Sequence, residues 1–257
     1  MKKNSLKIGL QLYTLRDFLK TPEDISSTLK KVKEIGYREV QISGIGKIEP
    51  SMLKEILNRE GLKANSIHYP YQELTNNLIR IVQECQLLNI KIIACPALPE
   101  DLRNEKGFKE GAKKLSEIGK ILSSYGIILA YHNHAYELEK FEGKTGLEIL
   151  LEESEENSLK LELDTYWIQY GGGDPAYWCE KFRERLILLH AKDMGIRNNQ
   201  QIMLPVGEGN LNWERIFQTI QDSLCECIVV EQDTCEGDPF ESVKRSLENL
   251  KKMGLEV

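Results

Sequence analysis

The sequence predicts a single (β/α)8 barrel, and three observations support that class. Short apolar runs rich in Val and Ile alternate with longer amphipathic runs along all 257 residues. The alternation yields eight strand–helix pairs recurring at roughly 25 to 40 residues, and the chain length suits one closed barrel. No linker, low-complexity tract or composition shift divides it, so residues 1–257 read as one domain.

The first strand is predicted over Lys7–Tyr13. The N-terminal MKKNSLKIGLQLYTL has a basic start and an apolar stretch. Gln11, Thr14, Arg16 and Asp17 interrupt that stretch, which favours a strand over a secretion signal. The following QLYTLRD contains no glycine, whereas an open dinucleotide-binding sheet usually has a glycine-rich turn there. Further strands are predicted over Glu39–Ile42, Ala64–His68, Lys91–Cys95, Ile127–His132, Lys160–Asp164, Leu186–His190 and Cys227–Glu231. Most are continuously apolar, as parallel strands covered on both faces should be. Helices are predicted over Pro22–Ile35, Glu73–Leu88, Gly107–Ser124, Trp213–Ser223 and Asp238–Met253. In the last of these, Asp238 is an acidic cap and Pro239 suits the first helical turn. The longest irregular stretch is Lys192–Asn212, and loops of such length in compact domains usually serve function.

Composition narrows the partners. The net charge of −6 and the lack of a basic run argue against a nucleic-acid partner. No apolar run reaches the length of a membrane span. The six cysteines have no CxxC pair or regular framework, so reduced thiols in a cytoplasmic protein are expected.

Barrels of this class place their chemistry at the carboxyl ends of the strands. All four histidines, His68, His132, His134 and His190, fall at or just past such an end. Asp164 ends the sixth strand after an alternating Leu-Glu-Leu, His190 ends the seventh, and Glu231 ends the eighth. A carboxylate beside a buried apolar run is costly unless a cation compensates it. Imidazole and carboxylate together suit Mn, Zn, Co or Fe better than Ca. The competing structural role for Asp164 is to cap the turn beginning at Thr165.

The segments YHNH at Tyr131–His134, ELDTYW at Glu162–Trp167, HAKDM at His190–Met194 and VEQD at Val230–Asp233 carry a resemblance. In this order and spacing, the chain resembles the xylose-isomerase-like sugar phosphate isomerase/epimerase superfamily, in particular its YHNHxxE subgroup. The resemblance implies a divalent-metal-dependent enzyme. Its one ion would be held by Glu, Asp, His and Glu from strands five to eight, with Mn first and Zn, Co, Mg or Fe as alternatives. Asp164, His190 and Glu231 match the last three positions. At the first position this sequence has His132 where those enzymes have glutamate; Glu137 in the following loop is the favoured replacement and His132 the alternative. The superfamily's endonuclease branch needs more ligands than four histidines readily supply, and the acidic charge adds to that objection.

The implied chemistry is proton transfer next to the carbonyl of a small sugar or cyclitol. Glu231 is the expected base and His134 its partner, with residues 132 and 134 pointing to one side of the strand. His68, His132, Trp167 and Lys192 are expected to contact substrate. A lyase or dehydratase on the same site is the rival reading, and a non-catalytic sugar-binding protein the third. Assembly into a homo-oligomer is compatible with the sequence.

Overall fold

The computed structural model describes residues 6–255. Eight parallel strands close into a barrel: β1 (Lys7–Gln11), β2 (Glu39–Ile42), β3 (Lys63–His68), β4 (Ile92–Cys95), β5 (Ile128–His132), β6 (Lys160–Asp164), β7 (Leu186–Ala191) and β8 (Cys227–Val230). Each pairs with its sequence neighbours, and β1 pairs with β8 through Lys7 opposite Cys227 and Leu10 opposite Val230. The predicted barrel is therefore the observed fold.

Local chemistry explains the helices around it. Helix α1 (Pro22–Ile35) begins with a reciprocal Thr21–Asp24 capping box and a proline in its first turn, and ends at Gly36 with φ of 119°. Helix α2 (Pro50–Glu60) follows β2. The single helix expected over Glu73–Leu88 is two: α3 (Tyr71–Asn76) and α4 (Leu78–Leu88). Asn77 divides them with φ of −127°, its side-chain amide donating to the Glu73 carboxylate at 3.0 Å. An asparagine that bonds locally competes with the helical ladder, which periodicity does not register.

Helix α5 (Glu105–Ser124) passes so close to the preceding loop of β6 that a Cβ on Gly119 would overlap the Ser158 carbonyl. Then come α6 (Gly146–Glu153), α7 (Thr165–Tyr170), α8 (Pro175–Lys181), α9 (Trp213–Ile220) and α10 (Pro239–Lys252). Asp238 caps α10 by accepting the Phe240 N–H at 2.9 Å, as its sequence suggests.

The stretch after β7 is more regular than its sequence implies. Asp193–Arg197 and Gln200–Leu204 pair antiparallel as a hairpin. Asn198 and Asn199 form its tip with positive φ, a conformation asparagine tolerates. The root of the hairpin is Asp193, which is 1% exposed. Its carboxylate accepts the backbone N–H groups of Met194, Gly207, Gly209 and Leu211 and the Trp213 indole N–H.

The larger apolar core lies between sheet and helices. A smaller cluster, including Ile92, Ala94, Leu188 and Val229, fills the lower lumen. Above it the lumen turns polar: Gln11, Gln41, Ser66, Glu162, Asp164 and His190 are all buried there. The described cysteines Cys85, Cys95, Cys179, Cys225, Cys227 and Cys235 are all free thiols. No described helix is long and apolar enough to cross a membrane.

Candidate active site

Register brings the polar ends of neighbouring strands together. Asp164 on β6 pairs with His190 on β7, while Glu162, two residues earlier, pairs with His132 on β5. Side chains two apart on a strand share a face, so Glu162 and Asp164 enter the lumen one layer apart.

The upper layer contains Asp164, His190 and Glu231, whose ligand atoms all lie within 4.8 Å of one another. His190 Nδ1 is 2.9 Å from Glu231 Oε2 and 3.9 Å from Asp164 Oδ2. His132 Nε2 approaches the same Asp164 oxygen at 3.8 Å. Ligands bound to one ion at about 2.0–2.2 Å stand roughly 3 to 4 Å apart, so these spacings suit a shared cation. Asp164 serves two purposes through separate oxygens. Oδ1 caps α7 by accepting the Trp167 N–H at 2.9 Å, whereas Oδ2 is buried and accepts no hydrogen bond. The helix-cap and cation-binding roles are therefore compatible.

Lys192 lies across this layer, 2% exposed. Its ammonium is 3.2 Å from Asp164 Oδ2, 3.0 Å from Glu231 Oε2 and 2.9 Å from Asp233 Oδ2. Burial pushes Asp164 up to about 7, against the pull of Lys192 and His190. Glu231 is also buried, but Lys192 and His190 outweigh that and hold it well below the usual carboxylate range. Burial opposes charge on His190 too, yet Glu162 and Glu231 raise it to about 10.

The lower layer is a hydrogen-bonded network around Glu162, which is fully buried. Its Oε2 lies 2.6 Å from His68 Nε2 and 3.2 Å from His132 Nδ1. Its Oε1 accepts from Gln41 Nε2 at 2.5 Å, and Gln41 Nε2 also donates to Ser66 Oγ at 2.8 Å. Gln41 Oε1 in turn lies 2.6 Å from Gln11 Nε2 and 2.6 Å from His190 Nε2. His68, His132, Glu162 and His190 form a second group with ligand atoms within 4.8 Å.

At the rim, the His134 ring stands 5.0 Å from that of His132 and 5.4 Å from that of Trp167. His134 Nδ1 and Trp167 Nε1 are buried without hydrogen-bond partners. Burial, then Lys192, lowers His134 to about 4, so its imidazole is neutral near pH 7. Asn133 does not face the mouth; its side-chain oxygen accepts the Asp164 N–H at 2.9 Å and ties β5 to β6. A cavity of about 600 Å³ adjoins His68, walled by Ser43, Gly44, Tyr69 and Arg80.

The structure thus gathers His68, His132, His134, Trp167, Lys192, Asp164, His190 and Glu231 at one end of the barrel. Glu137 does not join either ligand group. It lies in a short 3-10 turn, Tyr136–Leu138, and is fully buried. One of its oxygens accepts from Tyr131 Oη at 2.7 Å and the other from the His134 N–H at 2.8 Å. Glu162, Gln41 and Asp233 belong to the site although they were not among the expected residues. For Glu162 the signal was the Leu-Glu-Leu-Asp alternation, which puts it on the same side as Asp164. For Gln41 it was a lone amide in an otherwise buried strand.

Comparison with known proteins agrees with the barrel. A family model described as xylose isomerase-like TIM barrel matches residues 29–253. An inosose dehydratase of Clostridium perfringens is 22% identical over 167 residues, covering 58% of this chain and 56% of that protein. The chain thus spans little more than half the length of that relative. A sugar phosphate isomerase/epimerase structure from Parabacteroides distasonis superposes with a TM-score of 0.78 at 24% identity, covering 97% of this chain and 95% of that one. The IOLI protein with a bound zinc atom superposes with a TM-score of 0.70 at 14% identity, covering 96% and 97%.

Proposed function

Since the chain belongs to the xylose isomerase-like TIM-barrel family, we propose that it is a divalent-metal-dependent sugar isomerase or epimerase acting by proton transfer next to a carbonyl. The observation that carries this reading is the convergence of Asp164, His190 and Glu231 on one point, with Asp164 Oδ2 buried without a hydrogen bond between two imidazole nitrogens and the Lys192 ammonium. Buried charges are normally compensated, and one ammonium shared among Asp164, Glu231 and Asp233 leaves carboxylate charge for a second cation to offset.

Charge supports the same conclusion. Asp164, Glu231 and Asp233 bring three negative charges against the single ammonium of Lys192. With Glu162 in the layer below, four carboxylates stand against that ammonium, and one divalent ion would offset most of the remaining charge with His190 neutral. Asp164, His190 and Glu231 would hold it, with His132 Nε2 as the fourth ligand in place of Glu137. Imidazole and carboxylate donors favour Mn, with Zn, Co, Mg or Fe as alternatives. When bound, such an ion supplies positive charge against a developing oxyanion.

The chain's own groups would handle the proton. His134 is neutral and has an unpaired ring nitrogen at the mouth, so it can take a C–H proton while the electron pair moves into an enediolate. Returned to the neighbouring carbon, that proton completes an isomerisation. Glu231, on a strand separated from β5 by two others, is the second proton carrier, and using both carriers would give epimerisation. Lys192 keeps its proton and offers a fixed positive charge to a substrate oxygen. His68 and the Trp167 ring complete the walls.

Dehydration is the second reading, supported by the similarity to proteins named inosose dehydratase and by Lys192 standing 3.0 Å from Glu231. Removal of the C–H proton would then expel a β-hydroxyl, protonated as it leaves. The substrate class in either reading is a small carbonyl sugar or cyclitol, in a soluble cytoplasmic setting without nucleic acid. The metal-loaded protein should be incubated in deuterated water with ketoses, sugar phosphates, inososes and 3-keto-glucosides, and followed by NMR. Deuterium uptake with a rearranged sugar supports the first reading, and an eliminated product the second. Neither outcome with any substrate would sink both and favour a sugar-binding role.

A further inference from the structure

We infer that Glu162 is a positioning residue that sets the ring protonation of two metal-facing histidines, acting on His132 directly and on His190 both directly, Oε1 to Nε2 at 3.2 Å, and through Gln41. The inference rests on the proposed metal site and assigns the layer beneath it. An ionised carboxylate can only accept hydrogen bonds. Glu162 Oε1, 2.5 Å from the Gln41 side chain, must therefore be met by the Gln41 NH2 group. That choice removes the freedom of Gln41 to flip. Its oxygen is turned to His190, 2.6 Å from Nε2, which must in turn carry a hydrogen. With Nε2 so committed, a neutral His190 has its lone pair on Nδ1, the nitrogen 2.9 Å from Glu231 and 3.9 Å from Asp164.

The second arm is shorter. Glu162 Oε2 stands 3.2 Å from His132 Nδ1 without hydrogen-bond alignment. A ring lone pair there would be repelled by the carboxylate, which favours a hydrogen on Nδ1 and the lone pair on Nε2, the nitrogen 3.8 Å from Asp164 Oδ2. The same oxygen takes His68 Nε2 at 2.6 Å. Once a bound ion displaces the Nδ1 hydrogen that His190 shares with Glu231, both rings would face the upper layer lone pair first. Partners of this kind fix the tautomer and orientation of a metal-binding imidazole. Here one carboxylate serves two imidazoles on different strands. It also gives a reason for the buried Gln41, which links Glu162 to His190.

The test uses the full chain with histidine labelled in 15N and loaded with diamagnetic Zn2+. Long-range 1H–15N correlations then report which ring nitrogen carries hydrogen. In the wild type, His190 should be protonated on Nε2 and His132 on Nδ1. Glu162→Gln should disturb both rings and weaken Zn2+ binding 10- to 100-fold. Gln41→Leu should disturb His190 alone and weaken Zn2+ binding with it, and it provides a second route if Glu162→Gln does not fold. Glu162→Asp should retain more of the affinity than Glu162→Gln.

Unchanged ring protonation and Zn2+ affinity in a folded Glu162→Gln protein would overturn the inference while leaving the metal site standing. X-ray absorption showing the Glu162 carboxylate bonded to the ion would also overturn it, because the lower group would then be a ligand set. A wild-type protein that takes up no Zn2+, Mn2+ or Co2+ would remove the metal reading and this inference together.

Discussion

Asp164 Oδ2 and His190 Nδ1 lie 3.9 Å apart at directly paired positions of β6 and β7. The register that closes the barrel therefore also sets the spacing of the two groups at its mouth. A one-residue slip would turn both side chains out of the lumen.

Asp164→Asn separates the two duties of this residue. The asparagine oxygen can still accept the Trp167 N–H, so α7 should keep its cap. Divalent-ion affinity should fall at least about 100-fold, and the rise in melting temperature produced by saturating ion should disappear. Isothermal titration and thermal melts with and without Mn2+ or Zn2+ check this. Unaltered ion uptake would remove Asp164 from the ligand set.

Lys192→Met takes one positive charge from among Asp164, Glu231 and Asp233. A divalent ion competes less with a neutral neighbour, so ion affinity should rise by about tenfold or more. Turnover should fall nevertheless, chiefly in kcat, because the charge offered to the substrate oxygen is gone. A variant that lost ion affinity would contradict this account of the charges.

Glu137→Gln should lower stability by about 1–3 kcal/mol, since a carboxylate now accepting from Tyr131 and His134 becomes an amide with only one accepting atom. Ion content should not change. Burial raises Glu137 to about 7 from 4.5, so the folded chain holds this proton more tightly than the unfolded one. The stability it contributes is full below about pH 4.5 and is lost as pH rises through 7. The advantage of wild type over the variant should therefore shrink across that window by at most about 3 kcal/mol. Denaturant titrations at several pH values measure it. Loss of the ion from a folded variant would return Glu137 to the ligand set.

Gly119→Ala should destabilise by more than about 2 kcal/mol although alanine is the better helix former. The added Cβ would meet the Ser158 carbonyl and push α5 off the barrel. An unchanged or raised denaturation midpoint would contradict this close approach.

The barrel was legible because its strands are apolar on both faces and short, and the intervening helices are amphipathic. β2, β6 and α1 fall on their predicted bounds. The break at Asn77 was not legible, because it depends on a side-chain bond to Glu73 rather than on periodicity. Nor was the hairpin after β7, where the decisive residue, Asp193, collects donors from as far along the chain as Trp213.

At the site, strand tips were easier to read than depth. Asp164, His190 and Glu231 announced themselves as polar ends of apolar strands. Glu162 and Gln41 lie one layer down, where their partners come from strands far apart in sequence. Glu137 illustrates the converse limit. A glutamate three residues after His134 could turn towards the mouth or back under the strand, and only the hydroxyl of Tyr131 decides between them.

The five donors gathered on Asp193 also bear on how a ligand enters. A flap that swings needs a root able to exchange partners cheaply, and this root would have to strand a buried carboxylate to do so. The excursion after β7 is thus a fixed awning rather than a door. Its Gln201–Met203 segment shares a pocket wall with Trp167 and Asp233, so that wall keeps its shape whatever arrives.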